Sequence, residues 1–255
     1  MTAAQQLPPT YRLAAYDEID STNEEAKRLA IAGAPSGTVV WAKAQSGGKG
    51  RQGRPWVSQP GNLYCSLILE VEEIGLAARL GFAVALAVAD TVTRFLPGSS
   101  LFCKWPNDVL LEGRKISGIL LEAVPDTGLS AIVIGCGINA AHHPEETAFP
   151  ATSLGSYGEA PDVGRLLETY IGELDRWLSV EREQGFGAVR TAWLERAHRP
   201  GDRLTVRSSY GDIPGNFVDL APDGALILDV DGVPRSFTAG DVFFPASNVT
   251  EGAAG

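Results

Sequence analysis

Three segments carry residue types that can do chemistry on anions. The first spans residues 47–56, Gly-Gly-Lys-Gly-Arg-Gln-Gly-Arg-Pro-Trp. Its glycines let backbone amides turn toward an anion, as in a nest. Lys49, Arg51 and Arg54 add three cations, and no acid lies between Trp41 and Gln59. The spacing is neither that of a P-loop nor that of a dinucleotide fingerprint, so a basic surface loop fits it as well as a phosphate-binding one. The second segment is Lys104-Trp105-Pro106-Asn107-Asp108, followed by Lys115 and Gly118. Lys104 sits at a strand end, and Asn107 and Asp108 lie in a turn where they can meet Mg²⁺ or a nucleotide hydroxyl. Lys115 opens the next strand, and Gly118 leaves room for a ligand. A tight hairpin with Asn-Asp as turn formers accounts for the same residues. The third is Ile134-Gly135-Cys136-Gly137-Ile138-Asn139, where Asn139 offers a donor and an acceptor; a strand ending at a glycine turn is the plainer reading.

The remaining composition sharpens the first segment. The chain has 255 residues, net charge −10 and a pI of about 4.8. A chain that acidic does not coat nucleic acid, which needs a basic footprint. A local island of three cations in such a chain therefore shifts the reading toward function. With 44% hydrophobic and 20% charged residues the composition is that of an ordinary globular protein of one or two domains. Cys65, Cys103 and Cys136 share no metal-type spacing and sit in apolar runs, as buried reduced thiols do. The N-terminus has no apolar signal core. Residues 76–96 are apolar but interrupted by Arg79, Asp90 and Arg94, too short a run to span a bilayer. A buried helix and a cytoplasmic, non-membrane protein are expected.

These segments need elements to position them. Ser21 and Glu24 have the spacing of a capping box, predicting a helix from about residue 21 to Gly33. Short strands are expected at 38–42 and 63–71, and at 101–105 and 109–111 around the Pro-Asn-Asp turn. Residues 116–124 and 129–136 read as a hairpin joined by Pro-Asp-Thr-Gly. Helical periodicity marks 163–184 and 186–197. After residue 200 the texture becomes β-rich, at 203–207, 215–220, 225–229 and 235–238, with Asp223-Gly224 and Asp231-Gly232 as turns. The expected organisation is a tail (1–10), an α/β domain (11–199) and a small β module (200–255).

Taken in order, the basic glycine loop, the Lys-Trp-Pro-Asn-Asp turn with its following lysine, and Gly-x-Gly-Ile-Asn resemble the biotin–protein ligase family. Ile19-Asp20-Ser21-Thr22-Asn23 matches that family's biotin-contacting segment, and Gln45 its glutamine before the loop. The family loop usually reads Gly-Arg-Gly-Arg-x-Gly-Arg, and Lys49 stands here for the first arginine, keeping the charge without the bidentate fork. The resemblance implies a mixed-sheet α/β domain like that of class II tRNA synthetases, followed by an SH3-like barrel that either caps the fold or helps dock an acceptor. It implies that Ser21, Thr22, Asn23 and Gln45 bond the ureido ring of biotin, with Lys49, Gly50, Arg51, Lys115 and Gly118 completing that site. It gives Arg51, Arg54, Trp56, Lys104, Asn107, Lys115 and Asn139 to ATP and Asp108 to Mg²⁺. Lys115 and Arg51 are its catalytic residues, and the loop at 47–57 is expected to be mobile until biotin orders it.

The partners so implied are biotin, Mg-ATP and a biotin carboxyl carrier domain. Family members occur as monomers and dimers, and an exposed sheet edge would allow a homodimer. Many also carry an N-terminal DNA-binding winged helix. With about ten residues ahead of the α/β segment, DNA binding is expected to be absent. The rivals are a lipoate ligase of related fold, a biotin-sensing repressor and a catalytically dead biotin-binding module.

Overall fold

The computed structural model describes residues 6–72, 77–124, 130–145, 147, 149–208 and 211–244. The expected Pro-Asp-Thr-Gly turn, Leu76, Leu129 and residues 245–255 lie outside the described residues. Two sheets carry the fold. The larger has seven strands in the order β1-β2-β3-β7-β6-β5-β4: β1 (Arg12–Ile19), β2 (Thr38–Gln45), β3 (Leu63–Glu70), β4 (Leu101–Lys104), β5 (Asp108–Leu111), β6 (Arg114–Ala123) and β7 (Ala131–Ile138). Helix α1 (Thr22–Ile31) crosses from β1 to β2, so those two strands pair in parallel, whereas every other pair is antiparallel.

Strand alternation assigns the two faces. On β7, Ile132, Ile134, Cys136 and Ile138 enter the main core, while Val133 packs under α1 with Ala26, Ala30, Val40 and Ile68. Gly135 and Gly137 continue the α1 side, because successive side chains point to opposite faces. The other face is covered by α2 (Ala77–Phe95), α3 (Val163–Gln184) and α4 (Phe186–Leu194). Helix α2 lies between the sheet and α3, which is why its centre, residues 80–89, is apolar all round: Ala83, Val84, Leu86, Ala87 and Val88 are fully buried at 0% exposure.

The second sheet is antiparallel, in the order β11-β10-β9-β8-β12, with β8 (Arg203–Ser208), β9 (Gly211–Leu220), β10 (Leu226–Val230), β11 (Val233–Phe237) and β12 (Asp241–Phe243). Its Leu204, Phe217, Leu226 and Leu228 join the same continuous core as α2 and α4. Trp105 Nε1 donates to the Gly224 carbonyl (3.1 Å), and Arg190 Nε to the Leu220 carbonyl (2.8 Å). The junction is thus packed and hydrogen-bonded.

Several expectations are corrected. The capping box does not form: Ser21 is the N-cap by position, but its side chain makes no cap hydrogen bond. Glu24 instead pairs with Lys27 (3.5 Å) and Lys49 (3.2 Å), a charge interaction that outcompetes a neutral cap. Strands β1 and β12 lie outside every expected range, β2, β6, β7, β9 and β11 begin or end beyond theirs, and Asp108, expected in the turn, opens β5, where it pairs across to β6. Helix α4 stops at Leu194 rather than at residue 197.

Candidate functional site

A cavity of about 420 Å³ opens on the α1 face of the large sheet. Three features of the fold build it. The first turn of α1 supplies one wall, where Ser21, Thr22 and Asn23 are each 4–5% exposed. Thr22 N donates to Gln45 Oε1 (2.8 Å), and Gln45 Nε2 donates to Ser58 Oγ (2.8 Å). Asn23 Nδ2 donates to Glu122 Oε2 (2.8 Å), while Asn23 Oδ1 lies 2.6 Å from Ser66 Oγ. Burial pushes the Glu122 carboxyl up, but hydrogen bonds from Asn23 and Lys27 together outweigh it and hold it below its ordinary value. The wall is therefore polar, pre-oriented and anchored from behind.

The floor is glycine. A Cβ at Gly118 would stand 2.8 Å from the Trp56 ring, and one at Gly137 2.7 Å. Only glycine lets Trp56 lie flat there, so the room that Gly118 leaves is filled by this side chain. At Gly135 a Cβ would stand 2.1 Å from Asn23 Oδ1, so the wall, too, leans on bare backbone.

The third feature is charge. The β5–β6 pairing slips by one residue between Val109 and Leu110. That bulge sets Lys115 Nζ 2.7 Å from Asp108 Oδ1. Lys104 Nζ lies 3.6 Å from Asp108 Oδ2. Burial lowers the Lys104 pKa, and Asp108 opposes that shift. Lys115 Nζ also stands over the Trp56 ring at 5.4 Å. The basic loop folds over the opening: Lys49 pairs with Pro55 in an isolated bridge, and Trp56 N donates to the Gly48 carbonyl (2.9 Å). Arg51 Nη1 donates to the Gly240 carbonyl (3.1 Å) and to Asn107 Oδ1 (3.4 Å), and Arg54 Nη2 pairs with Asp241 Oδ1 (3.1 Å). Burial lowers the Arg51 pKa, against the pull of Asp241 and Asp108. Five cations and two acids line the cavity, in a chain of net charge −10.

All fifteen residues that the family resemblance assigns to biotin, ATP or Mg²⁺ line this one cavity. Asn139 does so with its amide engaged, Nδ2 donating to the Thr152 carbonyl (2.9 Å). Sequence reasoning missed Tyr64, Phe149, Asp241 and Phe243, which also line it. Gly135 and Gly137 carried a signal in the Gly-x-Gly pattern. Asp241 and Phe243 carried none, because only the tertiary fold brings the second sheet to the loop.

The arrangement suits a molecule with one hydrogen-bonding end and one anionic end, held beside a polyphosphate. Known proteins agree. Residues 16–139 match the Biotin/lipoate A/B protein ligase family, and residues 201–244 match the Biotin protein ligase C terminal domain. The chain is 37% identical over 234 residues to a biotin–[acetyl-CoA-carboxylase] ligase of Paracoccus denitrificans, covering 88% of this chain and 97% of that one. The chain belongs to the biotin–protein ligase family. It is also 33% identical over 230 residues to the bifunctional ligase/repressor BirA of Escherichia coli, covering 88% of this chain and 71% of that one. Among solved structures, the biotin protein ligase of Aquifex aeolicus in complex with biotin and ATP superposes with a TM-score of 0.78 at 27% identity, covering 91% of this chain and 97% of that one. This family member thus has the mixed α/β sheet and the small C-terminal β sheet of its relatives. No helix among its described residues is long and apolar enough to cross a membrane.

Proposed function

We propose that this protein is an ATP-dependent biotin–protein ligase. The observation that carries the reading is the cavity itself, where a pre-oriented polar wall and a cation-lined mouth meet under one basic loop. A carboxylate is a poor electrophile. Its oxygen attacks the α-phosphorus of ATP, the bond to the β-phosphate oxygen breaks, and pyrophosphate leaves. The ε-amine of an acceptor lysine then attacks the acyl carbon of biotinyl-AMP, AMP departs and the amine loses its proton. The acceptor is a biotin carboxyl carrier domain, and its lysine supplies the nucleophile.

Two anions meet in the first step, so the cations must grip harder as charge shifts. Lys115 bridges the biotin carboxylate and the α-phosphate, leaving Asp108 partly paired through Lys104. Arg51 closes over both substrates with Lys49 and Gly50. Arg54, Trp56, Lys104, Asn107 and Asn139 serve ATP, and Ser21, Thr22, Asn23, Gln45 and Gly118 serve biotin. Loop closure keeps water off the mixed anhydride.

No cluster of three or more metal-ligating side chains occurs among the described residues. Of the two acids lining the cavity, Asp241 is paired with the loop arginines, and Asp108 as a single carboxylate fits Mg²⁺ that is held chiefly by nucleotide phosphates. Asp108 would hold the ion, which neutralises phosphate charge. The proposed division is a catalytic domain over 11–199, of the class II tRNA synthetase type, and an SH3-like barrel over 200–255. A cytoplasmic enzyme able to pair through a sheet edge completes the reading.

Biotin-dependent exchange of labelled pyrophosphate into ATP tests the first step against the lipoate alternative. Exchange with biotin and none with lipoate is expected. Exchange with lipoate alone would replace the reading.

A further inference from the structure

We propose that Asp241, with the Gly240 carbonyl, is a positioning site that latches the basic loop shut and aims Arg51, which makes the second sheet part of the adenylation machinery. The proposal rests on the ligase reading and goes beyond it. Two of the loop's three cations end on β12 or its preceding residue: Arg54 Nη2 on Asp241 Oδ1 (3.1 Å), and Arg51 Nη1 on the Gly240 carbonyl (3.1 Å) and near Asp241 (3.7 Å). The third cation, Lys49, meets Glu24 of α1 (3.2 Å). The loop is therefore held from both sides, by one acid from each sheet's neighbourhood.

The latch is built rather than incidental. Gly240 adopts φ +146, and a Cβ there would stand 2.8 Å from Val206 Cγ1 and 3.0 Å from the Arg207 carbonyl. The backbone is pinned against β8, so its carbonyl has one direction to face. Asp241 is paired in register with Arg207, and the neighbouring Val242 is fully buried. The Asp241 side chain is 21% exposed and that of Arg51 22%, so their attraction is screened less than that of an open surface pair. Arg54 is 56% exposed and adds less.

Asp241 acts through Arg51 and Arg54, not on the reacting atoms. Holding the lid closed slows escape of the acyl-adenylate, and escape rates carry most affinity differences. An acid beside the phosphates would weaken, not strengthen, nucleotide binding. The latch and a nucleotide-binding role therefore predict opposite signs for ATP.

The experiment compares wild type, Asp241→Asn, Asp241→Ser and Asp241→Glu. Biotinyl-adenylate is formed in the active site and its dissociation is followed by rapid filtration. Trypsin cleavage after Lys49 and Arg51 is followed in the free protein. Asp241→Asn is expected to release the adenylate about ten-fold faster, between the cost of an open pair and that of a buried one. It should also be cut faster in the loop, with the KM for ATP unchanged or lower. Asp241→Glu, which keeps the charge, should restore retention, and Asp241→Ser should leak as Asp241→Asn does. If Asp241→Asn fails to fold, Asp241→Ser decides in its place: a folded Asp241→Ser that leaks the adenylate supports the latch, and one that retains it as wild type does overturns it. Wild-type retention in Asp241→Asn overturns the proposal. So does a raised KM for ATP with retention intact, which would assign Asp241 to the nucleotide. Wild type forming no adenylate from biotin would count against the ligase reading, and the trypsin arm would still test the latch.

Discussion

Replacing Lys115 by alanine removes the cation proposed to stand where two anions meet. Its ammonium lies 2.7 Å from Asp108 Oδ1, and its side chain is 26% exposed, so it acts in a partly desolvated site. A unit charge at about 4 Å in surroundings of effective dielectric about 20 interacts by about 4 kcal/mol. The partial exposure trims that toward the ~3 kcal/mol seen for loss of one preorganised electrostatic group, or about 10²-fold in rate. Lys104 remains, 3.6 Å from the same carboxylate, so the loss should be large but not total. The assay is single-turnover formation of biotinyl-adenylate by quenched flow, with folding checked by circular dichroism. Adenylate formation should fall about 10²-fold in a protein that still binds biotin. A normal rate would make Lys115 a structural partner of Asp108 and refute its bridging role.

Three further outcomes follow from the same geometry. Arg51→Gly removes the cation joining loop, Asn107 and Gly240, so biotinyl-adenylate should escape and label serum albumin, read by streptavidin blot; albumin left unlabelled contradicts this. Gly137→Ala puts a Cβ 2.7 Å from the Trp56 ring, which should unseat the loop and raise the KM for biotin about ten-fold or more, a cost of the size of a ~1–3 kcal/mol overpacking strain; an unchanged KM would show that the ring need not lie there. His198 is 3% exposed among Phe102, Phe217 and Phe244, and burial pushes its pKa down to about 4 from 6.5. Its neutral form is favoured in the folded state, so nothing is lost above pH 6.5, and stability falls between pH 6.5 and 4 as the unfolded chain alone takes up the proton. The drop attributable to this residue is about 3 kcal/mol. Chemical denaturation of wild type and His198→Phe across that window should give a shallower pH slope in the variant; parallel slopes would clear His198.

How legible the fold was depended on how local each determinant is. Helix α2 was readable because its central residues 80–89 are apolar on every side, which only a doubly covered helix tolerates. The site motifs were readable because glycine and lysine in those runs have few other uses. Strand β1 was not, since an edge strand with half-buried Leu13, Ala14, Tyr16 and Ile19 shows no clean alternation. Strand β12 is three residues long and exists because β8 is there to pair with it. The Lys115–Asp108 pair depends on a one-residue bulge, and no spacing rule announces where a ladder slips. Glu24 had the spacing of a capping residue but is claimed by Lys27 and Lys49, and Lys49 arrives from 25 residues away. Asp241 became part of the site only when two sheets packed together.

Intact-protein mass spectrometry of a biotin carboxyl carrier domain incubated with the enzyme, biotin and Mg-ATP reads the whole reaction at once. The carrier is expected to gain the mass of one biotinyl group on a single lysine, in a reaction that depends on ATP and is slowed about 10²-fold with Lys115→Ala. A carrier of unchanged mass in the presence of active, folded protein would contradict the ligase reading.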